Sequence, residues 1–187
     1  MLSISRTKGT AMNPKIAGRL STEAANFYRH SGEFAEAQVD SIDFALLHAL
    51  HELMPDGAVT TVFEHGGDGL PLILGATADR LHAFDVPKPP AENEPVADVR
   101  WRSFRLAADS CSVEAKVSFN RPSMSFGHEV NRRMHWKFRV DDLEFDLYTR
   151  VAAEAESIEP REELAQHLAR CLGVLPESTG GRLQAAA

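Results

Sequence analysis

Cysteine is scarce in this chain, and the little there is falls in no recognisable pattern. Cys111 and Cys171 are the two cysteines of 187 residues. They form no CxxC, which removes the usual zinc-ribbon and dithiol redox frameworks. Both fall on apolar faces of their expected elements, so each is read as a buried free thiol. Long apolar runs are also missing. Nothing approaches the ~20 residues a membrane span needs, and the first 18 residues lack the apolar core of a secretory signal. An excess of positive charge is absent as well: the formal net charge is −7, which argues against a dedicated nucleic-acid binder. The sequence therefore predicts a cytoplasmic protein with no nucleic-acid partner and no transmembrane segment, and nothing in it points to peripheral membrane contact. A hydrophobic content of 43% with 25% charged residues is that of an ordinary globular chain, able to form a core without disulfides or a structural metal.

Residues 1–30 are small, polar and aperiodic and are expected to be flexible, with Met12 a second candidate start. A single α+β domain is expected over 31–174, and a flexible Gly- and Ala-rich tail over 175–187. Val39, Ile42, Leu46, Leu50 and Leu53 fall at helical spacing and predict a helix over 34–54. Acidic residues lie in its first half, where the helix dipole favours them, and Pro55-Asp56-Gly57 ends it. From there the apolar period is two. Short strands are expected at Val59–Glu64, Leu72–Thr77 and Leu81–Val86, separated by glycine- and aspartate-containing turns. The proline-rich stretch 87–95 must be an extended loop. Val99–Leu106 is the next strand; Val99 and Trp101 are out of phase with Phe104 and Leu106, so a β-bulge is expected near Arg102 or Ser103. Cys111–Phe119 alternates as a half-buried strand, and a long loop runs from Asn120 to Asn131.

The sharpest local pattern is 133–148. A turn at Asp141-Asp142 pairs Val140 with Leu143, Phe138 with Phe145 and Trp136 with Leu147. The same register sets Arg139 against Glu144, Lys137 against Asp146 and His135 against Tyr148 on the other face, so an antiparallel hairpin is expected. A C-terminal amphipathic helix over about 158–172 follows, with Pro160 in its first turn and Gly173 as the residue that ends it.

Several strands in succession followed by one helix, together with the stretch from Leu72 to Phe84, carry a resemblance. There Thr77, Asp79 and Arg80 lie between two apolar strands. This resembles the Thr-x-Arg hairpin of bacterial pleckstrin-homology-like (PH-like) and GRAM-type domains, with Ala78 as an insertion into that pattern. It spans roughly 58–174 and leaves the 34–54 helix unexplained. The fold expected is α+β: an antiparallel, mostly seven-stranded PH-like sandwich or partly open barrel with an N-terminal helix and a C-terminal amphipathic helix. The resemblance implies a non-enzymatic binding or adaptor module. The family's lipid-binding role transfers to no residue, because the Gly66–Pro71 loop carries Asp68 and no base.

Between Val96 and Arg139 nine basic residues stand against four acidic ones, an arrangement suited to an anion. Arg100, Arg102, Arg105, Arg121 and Arg133 are the candidates. Arg100 and Arg102 lead because no acidic partner is legible, whereas the hairpin register supplies one for Lys137 and Arg139. His128, in the long loop beside Arg121, is the best place for an active site. No nucleophile or general-base constellation accompanies it, and Cys111 is expected to face inward. His48 and His51 have a ligand-like spacing with nothing to complete a metal set. The expectation is therefore no catalytic residue, no metal and no cofactor. Arg100, Arg102, Arg121 and His128 are the candidate ligand contacts, and the partner is a protein, a second copy or a small anionic ligand. The alternatives are a small enzyme or ligand-binding barrel with its pocket under 120–131, and a structural subunit of a larger assembly.

Overall fold

A computed structural model describes residues 12–55, 58, 60–87, 90, 97–119, 132–151 and 160–175. The elements run α1 (Pro14–Ser31), α2 (Glu36–Leu53), β1 (Thr61–His65), β2 (Pro71–Ala76), β3 (Arg80–Asp85), β4 (Arg100–Arg105), β5 (Cys111–Phe119), β6 (Arg132–Val140), β7 (Leu143–Val151) and α3 (Pro160–Cys171). β1-β2-β3-β4 form one antiparallel sheet and β5-β6-β7 a second. Gly66 and Phe145 bridge the β1 end of the first sheet to the second. Among the described residues no helix is long and apolar enough to cross a membrane.

The first sheet is covered on both faces, which explains why β2 and β3 lack polar alternation and are almost wholly buried. Leu72, Leu74, Leu81, Ala83 and Phe104 point toward the second sheet and meet Trp136, Phe138, Phe145 and Leu147. Ile73 and Phe84 point the other way, into the α1–α2 pair. α3 closes the seam between the sheets with Leu164, Ala165, Leu168 and Ala169, all fully buried. It ends in a Schellman motif. Gly173 has φ +71°; Val174 N–H bonds to Ala169 O and Gly173 N–H to Arg170 O, both at 2.9 Å.

The Arg132–Val151 hairpin has the register the alternation demands, with Val140 opposite Leu143, Phe138 opposite Phe145 and His135 opposite Tyr148. Its turn places Asp141 at φ +52°, a left-handed conformation that Asp tolerates better than most residues.

Two expectations are corrected. Most of the segment read as aperiodic is α1. Asn13 caps it by accepting from Lys15 N–H at 3.0 Å, Pro14 starts it, and Gly32 at φ +69° ends it. Its buried stripe is Ala17, Leu20, Ser21, Ala24, Ala25 and Tyr28, too poor in large apolar side chains to stand out in sequence. The bulge expected in β4 does not form: β4 pairs with β3 residue for residue from Arg105 to Arg100. Phe104 goes inward and Trp101 outward, 42% exposed. The phase break is absorbed instead by placing Arg100 and Arg102 on the inner face at the sheet's open end, where carboxylates meet them.

Candidate functional site

The inner-face position of Arg100 and Arg102 decides what they do. Asp85 on β3 lies directly opposite Arg100 and is buried. Arg100 Nε donates to both Asp85 carboxylate oxygens at 3.0–3.1 Å and its terminal nitrogen to Oδ2 at 2.5 Å. Arg102 reaches Asp85 at 3.4 Å and Asp142 at 3.6 Å. The hydrogen bond that Arg100 donates to Asp85, ahead of every other influence, pushes the Arg100 pKa upward. The sequence expectation that these arginines lack an acidic partner is thus corrected. The cleft they line, about 320 Å³, also holds Asp68, Asp142 and Glu144, so carboxylates outnumber guanidinium groups and the site is poorly suited to an anion. Arg121 and His128, the other two expected contacts, lie outside the described residues, as does the whole of the 120–131 loop.

A different set of side chains converges on the outer face of the second sheet. Strand register places Lys116, His135 and Tyr148 in one cross-strand row, and Ser118 and Arg133 in the next. Together with Met134 and Thr149 they line a cleft of about 340 Å³. The His135 and Tyr148 rings stack at 4.3 Å with only 9° between their planes. His135 is anchored beneath by Asp146, 2.7 Å from its Nε2, and Tyr148 is 63% exposed, one ring face open. The ion pairs of this face among the described residues are His135–Asp146 and Lys137–Glu144, the latter at 2.5 Å. Both run diagonally with respect to the cross-strand register. Lys116 and Arg133 take part in neither, and both are exposed. The cleft thus presents two cations that pair with no carboxylate among the described residues, and a hydroxyl, on the same face as an aromatic plate.

Comparison with known protein families, with curated proteins and with solved structures finds no match to this chain.

Other groups with chemical potential are engaged structurally. His167 and Cys171 face each other one turn apart on α3, 3.5 Å between Nε2 and Sγ. Yet His167 Nε2 also lies 2.8 Å from Thr77 O, an acceptor, so this nitrogen must carry a hydrogen and cannot take the thiol proton. Burial pushes the Cys171 thiol pKa upward, the reverse of an activated nucleophile. Glu162 is buried and receives hydrogen bonds from Thr149 Oγ1, from Gln166 Nε2 at 2.9 Å and from Trp136 Nε1 at 3.4 Å. Arg161 pairs with Glu64. These ties fix the start of α3 to the sheets. His48 and His51 are exposed on α2, and among the described residues no group of three or more His, Cys, Asp or Glu side chains could hold a metal ion.

Another cleft, about 560 Å³, lies between the start of α1, the end of α2 and Pro160. Arg19 is the one charged side chain among its described lining residues.

Of the true outer-face set, Arg133 was legible as a cation and the His135–Tyr148 pair followed from the hairpin. Lys116 and Ser118 were not, because only the β5–β6 register across the 120–131 stretch brings them alongside.

Proposed function

We propose that this chain is a non-catalytic binding module that takes a small planar anion, an aryl or nucleoside phosphate or carboxylate, on the outer face of its β5–β7 sheet. The observation that carries the proposal is the exposed Tyr148 ring, stacked on His135, with Lys116 and Arg133 lining the same cleft and paired with no carboxylate among the described residues of that face. An aromatic plate offers stacking to a planar group, worth about 0.5–1.5 kcal/mol beyond area burial. Arg133 offers a forked donor to two anionic oxygens, and Lys116 a compact second charge. The engaged state of the Cys171–His167 couple supports the non-catalytic half of the proposal. The PH-like reading belongs with it: a four-stranded and a three-stranded antiparallel sheet, joined in chain order and closed by a C-terminal helix, support that architecture. The α1–α2 pair is an addition to it.

Calorimetric titration with phenyl phosphate and with inorganic phosphate tests the proposal, with anionic vesicles as a third arm. Phenyl phosphate should bind more tightly than phosphate. Arg133→Ala should weaken both by about tenfold, equivalent to about 1.4 kcal/mol. Tyr148→Ala should abolish the preference for the aryl compound. Binding that neither substitution changes, or vesicle binding with no binding of either soluble anion, overturns the proposal.

A further inference from the structure

β5 ends its sheet, and among the described residues no strand pairs with the outer side of its nine residues, Cys111–Phe119. Its hydrogen-bonding phase follows from one contact. Asp141 N–H bonds to Ser110 O at 2.9 Å, in line with the register that sets Cys111 opposite Val140. Antiparallel ladders alternate, so β5 bonds to β6 at its even positions. The N–H and C=O groups of Val113, Ala115 and Val117 are left pointing at the open edge. Ala115 and Val117 also expose their side chains, Val117 by 44%. An extended, apolar-containing edge whose outward backbone groups meet no strand among the described residues is a template for another strand.

The order of residues along β5 specifies which strand. About Ala115 the sequence is symmetric in character: Glu114 and Lys116, then Val113 and Val117, then Ser112 and Ser118. We infer that β5 is a homodimer edge, pairing antiparallel with β5 of a second copy about a two-fold axis through Ala115. In that register the two Ala115 residues exchange backbone hydrogen bonds, as do Val113 and Val117 of opposite copies. These are the positions whose groups already point outward. Glu114 of each copy lies opposite Lys116 of the other on the solvent face, and Val113 opposite Val117 on the inner face. Every cross-strand pair is thus matched in polarity or opposite in charge. A parallel arrangement would set Glu114 beside Glu114 and offers no such match. A slip of one residue would place inner-face side chains against solvent-face ones.

The β4 edge of the first sheet shows the contrast. β4 carries Arg100, Arg102 and Arg105 and no acid, so it offers a second copy of itself no opposite-charge cross-strand pair, and charged side chains are a common protection of sheet edges. The inference is independent of the anion proposal. Arg133, His135 and Tyr148 lie on β6 and β7, away from the axis, and of the named residues Lys116 and Ser118 are common to both.

Sedimentation equilibrium of the full chain over a wide concentration range tests this. The expected species at high concentration has twice the 20.6 kDa chain mass. Lys116→Glu sets like charges opposite each other in both symmetry-related pairs and should raise the dimer dissociation constant at least about tenfold. The double exchange Glu114→Lys/Lys116→Glu re-creates the opposite-charge pairs and should restore most of the association. Ala115→Pro removes an N–H that β6 does not use and should abolish dimerisation. A chain that stays monomeric throughout overturns the inference. So does a dimer insensitive to Lys116→Glu, or one that the double exchange fails to rescue, since either would place the contact elsewhere.

Discussion

Replacing Phe138 by alanine probes the register of the Arg132–Val151 hairpin at its most buried point. Phe138 is fully buried, with the Phe145 ring 5.4 Å and the Trp136 ring 6.2 Å away, centroid to centroid. Three aromatic side chains thus form a row across the middle of the inter-sheet core, and neighbours fixed in a β-ladder can collapse only partly into the space left by one of them. The loss should fall in the range for buried Phe→Ala, about 3–5 kcal/mol. That is a large part of the ~5–15 kcal/mol by which a typical domain is stable. For a chain of this size it corresponds to a fall in Tm of roughly 6–20 °C, at about 2–4 °C per kcal/mol. Lys137, the preceding residue, points to solvent and pairs with Glu144. Lys137→Ala should leave the urea midpoint unchanged within error. Urea denaturation followed by far-ultraviolet circular dichroism measures both. A small effect of Phe138→Ala, or a larger effect of Lys137→Ala, would mean that the strand is turned over by one residue and would refute the two-faced pairing.

Three further outcomes follow from packing and charge. Gly75→Ala should destabilise by about 1–3 kcal/mol, because a Cβ there would stand 2.7 Å from Met54 Sδ and 3.0 Å from Thr61 Cγ2; Met54→Ala in the same chain should relieve part of it, seen as non-additive midpoints. Asp85→Ala should cost about 1–3 kcal/mol by leaving a partly buried Arg102 and the more exposed Arg100 without their shared carboxylate, and equilibrium denaturation reads it. His82 is buried with neither ring nitrogen hydrogen-bonded, and burial lowers its pKa from 6.5. The unfolded chain therefore takes up a proton near pH 6.5 that the folded ring refuses, so this contribution to stability is present above that pH and lost as pH falls below it. The acid-side decline in Tm should be shallower in His82→Leu than in the wild type.

What was legible in the sequence and what was not divide along a physical line. The β6–β7 register could be read because a tight hairpin makes pairing a local matter: two alternating faces had to match across one turn. α3 could be read for a similar reason, with start, apolar stripe and stop all within one segment. α1 carried the same punctuation, Asn13-Pro14 and Gly32, but buries mainly alanine and serine against α2, and small residues leave no hydrophobic period to detect. The Arg100–Asp85 pair depends on the β3–β4 register across the proline-rich stretch, which no local pattern sets. For the same reason the arginines without a legible partner are engaged, while Lys116 lines the cleft that holds the His135–Tyr148 pair. The apparent phase error of β4 came from assuming that apolar residues mark the inner face. At the open end of this sheet the inner face accommodates charge, because Asp85 and Asp142 are there to meet it.

Nuclear magnetic resonance mapping of a phenyl phosphate titration tests the central claim most directly, because it locates the ligand residue by residue. Chemical-shift changes should cluster on Lys116, Ser118, Arg133, His135 and Tyr148, with the Arg100 and Arg102 signals unmoved. Changes centred on Arg100 and Arg102, or no saturable change anywhere on the β5–β7 face, would contradict it.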